Sequence, residues 1–288
     1  MGLHMSQLRD LLELDRPGKY EFIGDNPPEA RDSGHLFGGQ VIAQALMAAG
    51  TTVEPGRDVH SLHCYFLLAG DPSIPIVFRV DPIRDGRTYT TRRVVAEQRG
   101  REIFAMTTSF AIAEEGFQHQ VLSPPGLTGA WPNRAGNPIP RPTEIDDTWL
   151  SGRVHRDLMD FRRINTDGEV EDAPSLKVWA RLIESLPDTS LFQVCGLAYI
   201  SDMMMLPTAF VAHGLENYAA MMVASLDHSM WFHQPFHVEN WLLHETDNPA
   251  ASQGRALTRG QVFDESGLLV ASVAQEGVVR TRRTPKTT

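Results

Sequence analysis

Cysteine is nearly absent. Cys64 and Cys195 are the only two in 288 residues, and they are far apart in no paired motif. They supply no disulfide framework and suit a reducing compartment. No apolar run approaches the ~20 residues of a membrane span. The N-terminus lacks the basic and apolar blocks of a signal peptide, and Thr284 to Thr288 carry no peroxisomal or retention signal. A cytoplasmic location without a membrane span is therefore expected. Positive charge is also short: 26 Lys and Arg against 36 Asp and Glu leave a formal charge of -10. Phosphate neutralisation needs a basic face, so nucleic acid is not an expected partner. An anionic ligand would have to be met by local arginines such as Arg84, Arg87, Arg92 and Arg93, for which solvated strand edges are the plainer reading. No G-x-G-x-x-G or Walker sequence occurs, which removes dinucleotide and nucleoside-triphosphate readings, and no G-x-S-x-G elbow occurs.

What is present is organised twice. Ser6 can cap a short helix with Leu8, Leu11 and Leu12 on one face, ended by Arg16-Pro17-Gly18. A strand follows over Lys19 to Gly24. From Gly38 to Gly50 the pattern is helical and apolar nearly all round, which predicts a buried helix. Strand-like runs then span His60 to Leu68, Ile76 to Ile83, Tyr89 to Gln98 and Glu102 to Ala113. Turn signals at Gly70-Asp71-Pro72, Asp85-Gly86 and Arg99-Gly100 make these antiparallel neighbours. Val121 to Leu150 is rich in proline and glycine and reads as a linker. After it the plan recurs: a strand over Val154 to Ile164, a helix over Leu176 to Leu186, and an apolar stretch from Leu191 to Ala212 that Pro207 kinks or divides. Strands follow over Met222 to Phe232, Trp241 to Glu245, Arg255 to Phe263 and Leu268 to Val279. His60-Ser61-Leu62 in the first half matches His228-Ser229-Met230 in the second. One α+β fold written twice is the expectation, with units 1–120 and 151–288 joined by the linker 121–150.

The stretch from Leu197 to Phe236 carries the chemistry. Asp202 stands among Met203, Met204, Met205 and Leu206, and a carboxylate partly stripped of water is a candidate general base. The bland alternative is a helix cap. Gly38 and Gly39 open a helix whose first backbone N–H groups favour negative charge, although glycines there also ease packing. On a single strand Ser225, Asp227, Ser229 and Trp231 would share one face, with Leu226, His228 and Met230 on the other. That alternation argues against an Asp227–His228–Ser229 triad. It also turns His60 and His63 to opposite faces, so His60-x-x-His63-Cys64 is not a convergent metal site. His60 remains a candidate substrate contact.

The motifs H-L-F-G-G-Q (35–40), H-S-L-H-x-Y-F (60–66), R-D-G-R-x-Y (84–89), A-Y-I-S-D (198–202), D-H-S-M-W-F-H (227–233) and A-S-V-A-Q-E-G (271–277) closely resemble the acyl-CoA thioesterase II family, in matching order over nearly the whole chain. The resemblance implies a double hotdog, two fused domains each with an antiparallel sheet wrapped around a long central helix. It implies hydrolysis of fatty acyl-CoA to free acid and CoA, with no metal or bound cofactor. Its catalytic set falls on Asp202, Ser225 and Gln275, which together hold a water; the family pattern has Thr where this chain has Ser225. Thioester hydrolysis needs an activated water and a held oxyanion, and backbone N–H groups at Gly38 or Gly39 are candidates for the second role. A hotdog enoyl-CoA hydratase and a non-catalytic acyl-CoA-binding module are the alternatives. Hotdog sheets extend by pairing, so a homodimer or homotetramer is expected.

Overall fold

The computed structural model describes residues 7–28, 30, 34, 36–120, 158–164, 175–211, 213 and 221–281. The expected linker, 121–150, lies outside them, as do Ser6 and the first residues of the strand expected from Val154.

The first half contains α1 (Leu8–Leu12), β1 (Asp15–Gly18), β2 (Glu21–Gly24), α2 (Gly38–Gly50), β3 (Asp58–Phe66), β4 (Ile76–Asp85), β5 (Tyr89–Gln98) and β6 (Arg101–Ala111). The second contains β7 (Met159–Arg163), β8 (Ser175–Leu182), α3 (Ser190–Val211), β9 (Met221–Ser225), β10 (Asp227–Phe232), β11 (Leu242–Ser252), β12 (Arg255–Phe263) and β13 (Leu269–Thr281). All strands join one sheet in the order β1-β2-β4-β5-β6-β3-β10-β13-β12-β11-β8-β7, with β9 added against β13. Read outward from the centre, the two sides repeat strand for strand. β3 and β10 meet in the middle, followed by β6 and β13, β5 and β12, β4 and β11, β2 and β8, and finally β1 and β7. Leu62 lies opposite Met230 where β3 pairs antiparallel with β10. Those residues are each other's counterparts in the sequence repeat, so the pseudo-twofold axis passes through their pair.

Each long helix packs on the inner face of its own half, and the two helices pack on each other. Gly39 through Ala49 of α2 are all buried, as the apolar circumference predicts. In α3 every residue from Gln193 to Phe210 is buried except Asp202. Burying a Leu, Ile or Met side chain stabilises by about 1.5–3 kcal/mol, so these two helices anchor the core. α3 is long and apolar enough to cross a membrane, but 89% of its most apolar stretch is buried inside the fold.

Three expectations are corrected. Leu176 to Leu186 is not a helix: Ser175–Leu182 is strand β8, the counterpart of β2. Its buried run of mixed apolar residues satisfies either period, and pairing with β7 and β11 settles it. Asp15–Gly18 is strand rather than helix end. Pro207 neither ends nor divides α3, which runs through it as one element. The Thr208 hydroxyl donates to the Met204 carbonyl at 3.2 Å one turn back.

Candidate active site

Met222 to Phe232 is two strands, not one. The chain breaks at Leu226, whose N–H donates to the Glu276 carbonyl at 2.9 Å while its own carbonyl accepts from Phe66. A one-residue break inverts the facing of every later side chain. Ser225 and His228, placed on opposite faces by strict alternation, therefore both reach Gln275 of β13.

Asp202 projects from mid-α3 toward the start of α2. Its Oδ2 accepts the Gly39 backbone N–H at 2.9 Å. Its Oδ1 accepts the Ser225 hydroxyl at 3.4 Å. Gln275 Nε2 donates to Ser225 Oγ at 2.8 Å, and Gln275 Oε1 lies 2.5 Å from His228 Nδ1. Asp202 and Ser225 are half-buried, whereas Gln275 and His228 are wholly enclosed. The site thus opens to solvent at a carboxylate and a hydroxyl, with an amide and an imidazole behind them.

The glycines at α2's start serve close approach. A Cβ on Gly38 would lie 2.7 Å from Asp202 Oδ2, and one on Gly39 would lie 2.5 Å from the Tyr199 carbonyl. Neither contact leaves room for a side chain. Of the two N–H groups suggested for an oxyanion, that of Gly39 is directed to Asp202. That of Gly38 has no partner among the described residues.

His60 is not brought to this cluster. Asp202 neighbours the Phe66 end of β3. His60 lies six residues along that strand, about 20 Å away at ~3.3 Å per residue. Its Nε2 bonds Ser109 Oγ at 2.8 Å, and its ring meets Tyr89 edge to face at 5.7 Å. Arg92 is also structural: it is buried and bonds Asp85 at 2.6 Å and Thr52 at 2.9 Å.

The helices are equally close at the other end of α2, where a Cβ on Gly50 would lie 2.4 Å from Leu191 Cδ1.

Two further groups complete the electrostatics. Burial pushes the Cys64 thiol well above its ordinary range, and the Asp202 charge adds to this. Cys64 Sγ donates to the His228 carbonyl at 3.3 Å, so it is a protonated core thiol rather than a nucleophile. Burial also pushes the His228 imidazole down, against the opposing pull of Asp202, Gln275 and Asp227. Unbroken alternation turns His228 away from Ser225, and no sequence signal marks the break at Leu226 that brings both to Gln275.

A chain with two buried helices, each cupped by its half of a continuous antiparallel sheet, is a double hotdog. The solved acyl-CoA thioesterase II TesB2 from Mycobacterium marinum shares it, with TM-score 0.79 and 36% identity over 96% of this chain and 99% of that one. Residues 159–278 match the family model for acyl-CoA thioesterase, and residues 26–111 match that for the acyl-CoA thioesterase N-terminal domain. Acyl-CoA thioesterase 2 of Haemophilus influenzae is 33% identical, covering 96% of this chain and 98% of its own. Acyl-coenzyme A thioesterase 8 of Homo sapiens is 34% identical, covering 86% and 81%. The chain belongs to the acyl-CoA thioesterase II family, and is an acyl-CoA thioester hydrolase.

Proposed function

We propose that Asp202 is the general base of this hydrolysis, acting on a water held between its carboxylate and the Ser225 hydroxyl. The water gives its proton to Asp202 as its oxygen attacks the thioester carbonyl carbon. Collapse of the resulting tetrahedral oxyanion breaks the C–S bond, the departing thiolate takes the proton that Asp202 received, and CoA and the free acid are released. Positioned base catalysis of this kind contributes about 10²–10⁴-fold. Gln275, wholly enclosed and bonded to Ser225, acts by holding that hydroxyl in place rather than by touching bulk water. The oxyanion is assigned to the Gly38 N–H, where a helix N-terminus favours developing negative charge. His60 has no part in the reaction.

The observation that supports this reading is the exposure pattern of α3. Its single incompletely buried residue between Gln193 and Phe210 is Asp202, and that residue shares Ser225 with Gln275. Thiol release from acyl-CoA by Asp202→Asn is the test. Retained fold and substrate binding with kcat reduced about 10²–10⁴-fold is expected; undiminished release overturns the assignment. Loss of enoyl absorbance without thiol would instead point to a hydratase.

Assembly beyond one chain belongs to the same proposal. Tyr65 (62% exposed) and Trp231 (39%) stand on the outer face of the central strands, suited to covering by a second copy. Light scattering at twice or four times the chain mass is expected, and a monomer contradicts it.

A further inference from the structure

We propose that His228 is a positioning residue, whose imidazole holds the Gln275 amide in the one orientation that leaves the Ser225 proton for Asp202. This rests on the Asp202–Ser225–Gln275 reading above.

A glutamine side chain has two ends of nearly equal shape and opposite hydrogen-bonding character. Which end faces Ser225 decides what the hydroxyl does. Here Nε2 faces Ser225 Oγ at 2.8 Å, so the hydroxyl accepts from Gln275 and keeps its own proton for Asp202 Oδ1 or for water. Turned over, the amide would present Oε1, and the single Ser225 proton would be drawn to it and away from the carboxylate.

The other end of Gln275 is fixed by His228. Oε1 lies 2.5 Å from Nδ1, a distance that two lone pairs do not share, so Nδ1 carries the proton. The imidazole is 0% exposed, and burial favours its neutral form with a single N–H. Nε2 is then an acceptor. Ser201 Oγ lies 3.0 Å from it, and also 2.9 Å from the Ala198 carbonyl and 3.4 Å from Met230 Sδ. One directed path results: His228 to Gln275, Gln275 to Ser225, Ser225 to Asp202. It crosses β10, β13 and β9 and ends on α3 at residue 202. His228 touches neither solvent nor any opening of the site, so it acts only through Gln275.

Two measurements on the intact protein test this. Nitrogen-15 NMR of the His228 ring reads its tautomer, and the proton is expected on Nδ1. Steady-state thiol release then compares His228→Leu, which has no polar atom, with His228→Asn, whose amide nitrogen sits where Nδ1 does. His228→Leu is expected to lose about 10–100-fold in kcat, the usual range for a group that orients another, with KM changed less than about twofold. His228→Asn is expected to recover most of that loss. In a Gln275→Ala background His228→Leu is expected to cost nothing further, because the partner it orients is gone.

A proton on Nε2, full turnover by His228→Leu, or an equal loss repeated in the Gln275→Ala background would each overturn the proposal. Where His228→Leu does not fold, by melting and circular dichroism, the tautomer and His228→Asn decide. Asp202→Asn, run in parallel, separates the two levels. An active Asp202→Asn removes the underlying reading, while an inactive one beside a fully active His228→Leu removes only the role of His228.

Discussion

Gly39 and Asp202 are 163 residues apart and meet in one hydrogen bond of 2.9 Å, backbone N–H to carboxylate. The bond ties the first half of the chain to the acid supplied by the second. It exists because α2 begins without side chains at two successive positions, letting its first turn come against α3. Gly39→Ala would put a Cβ 2.5 Å from the Tyr199 carbonyl, a backbone atom that cannot swing aside. The helices must then separate, at a cost of about 1–3 kcal/mol for overpacking. The carboxylate moves with them, and sub-ångström misplacement of a catalytic group is expensive. A lowered melting temperature together with a fall in kcat of roughly tenfold or more is expected. An alanine variant that melts and turns over like the parent would mean that the contact has slack.

Ser225 lies between an acceptor and a donor, and its removal affects both. In Ser225→Ala the Gln275 N–H loses its partner inside the protein, and Asp202 loses the hydroxyl that shares its water. A kcat reduced about 10–100-fold with KM little changed is expected, since the bond matters to the reacting water and not to substrate capture. Ser225→Thr keeps the hydroxyl and stiffens its rotamer, so turnover within about threefold of the parent is expected. Steady-state kinetics on one acyl-CoA for both variants checks the pair; equal losses in Ala and Thr would rule out the hydroxyl as the active feature.

The repeat was legible because its punctuation is local. Turn signals, the all-apolar helix from Gly38, the apolar stretch from Leu191 to Ala212 and the matched His60-Ser61-Leu62 and His228-Ser229-Met230 give a double antiparallel plan without any long-range knowledge, and the Leu62–Met230 pairing carries it into the sheet register. Asp202 was legible as a lone acid in an apolar run, while Ser225 and Gln275 became legible only through the family motifs. Three things were hidden. β8 is a strand through pairing with β7 and β11, which local propensity does not report. The break at Leu226 depends on how β10 leaves β13 for β3. Whether His60 reaches the site depends on which end of β3 faces α2's start, and sequence spacing carries no such direction.

His244 contributes to the acid sensitivity of the second half. It is 1% exposed on the inner face of β11, and neither ring nitrogen has a hydrogen-bond partner among the described residues. Burial pushes its pKa from 6.5 down to about 3. The unfolded chain takes up a proton near pH 6.5 that the folded chain refuses until about pH 3. Stability is therefore complete above pH 6.5 and falls as pH drops through that window, by about 1.4 kcal/mol per unit. Between pH 6.5 and 4.5 this amounts to about 2 kcal/mol. Urea unfolding of the parent and of His244→Met at the two pH values is the check. The variant is expected to be neutral or stabilised at pH 7, since no hydrogen bond is lost, and to lack that share of the acid slope. An unchanged slope in the variant would place the proton uptake elsewhere.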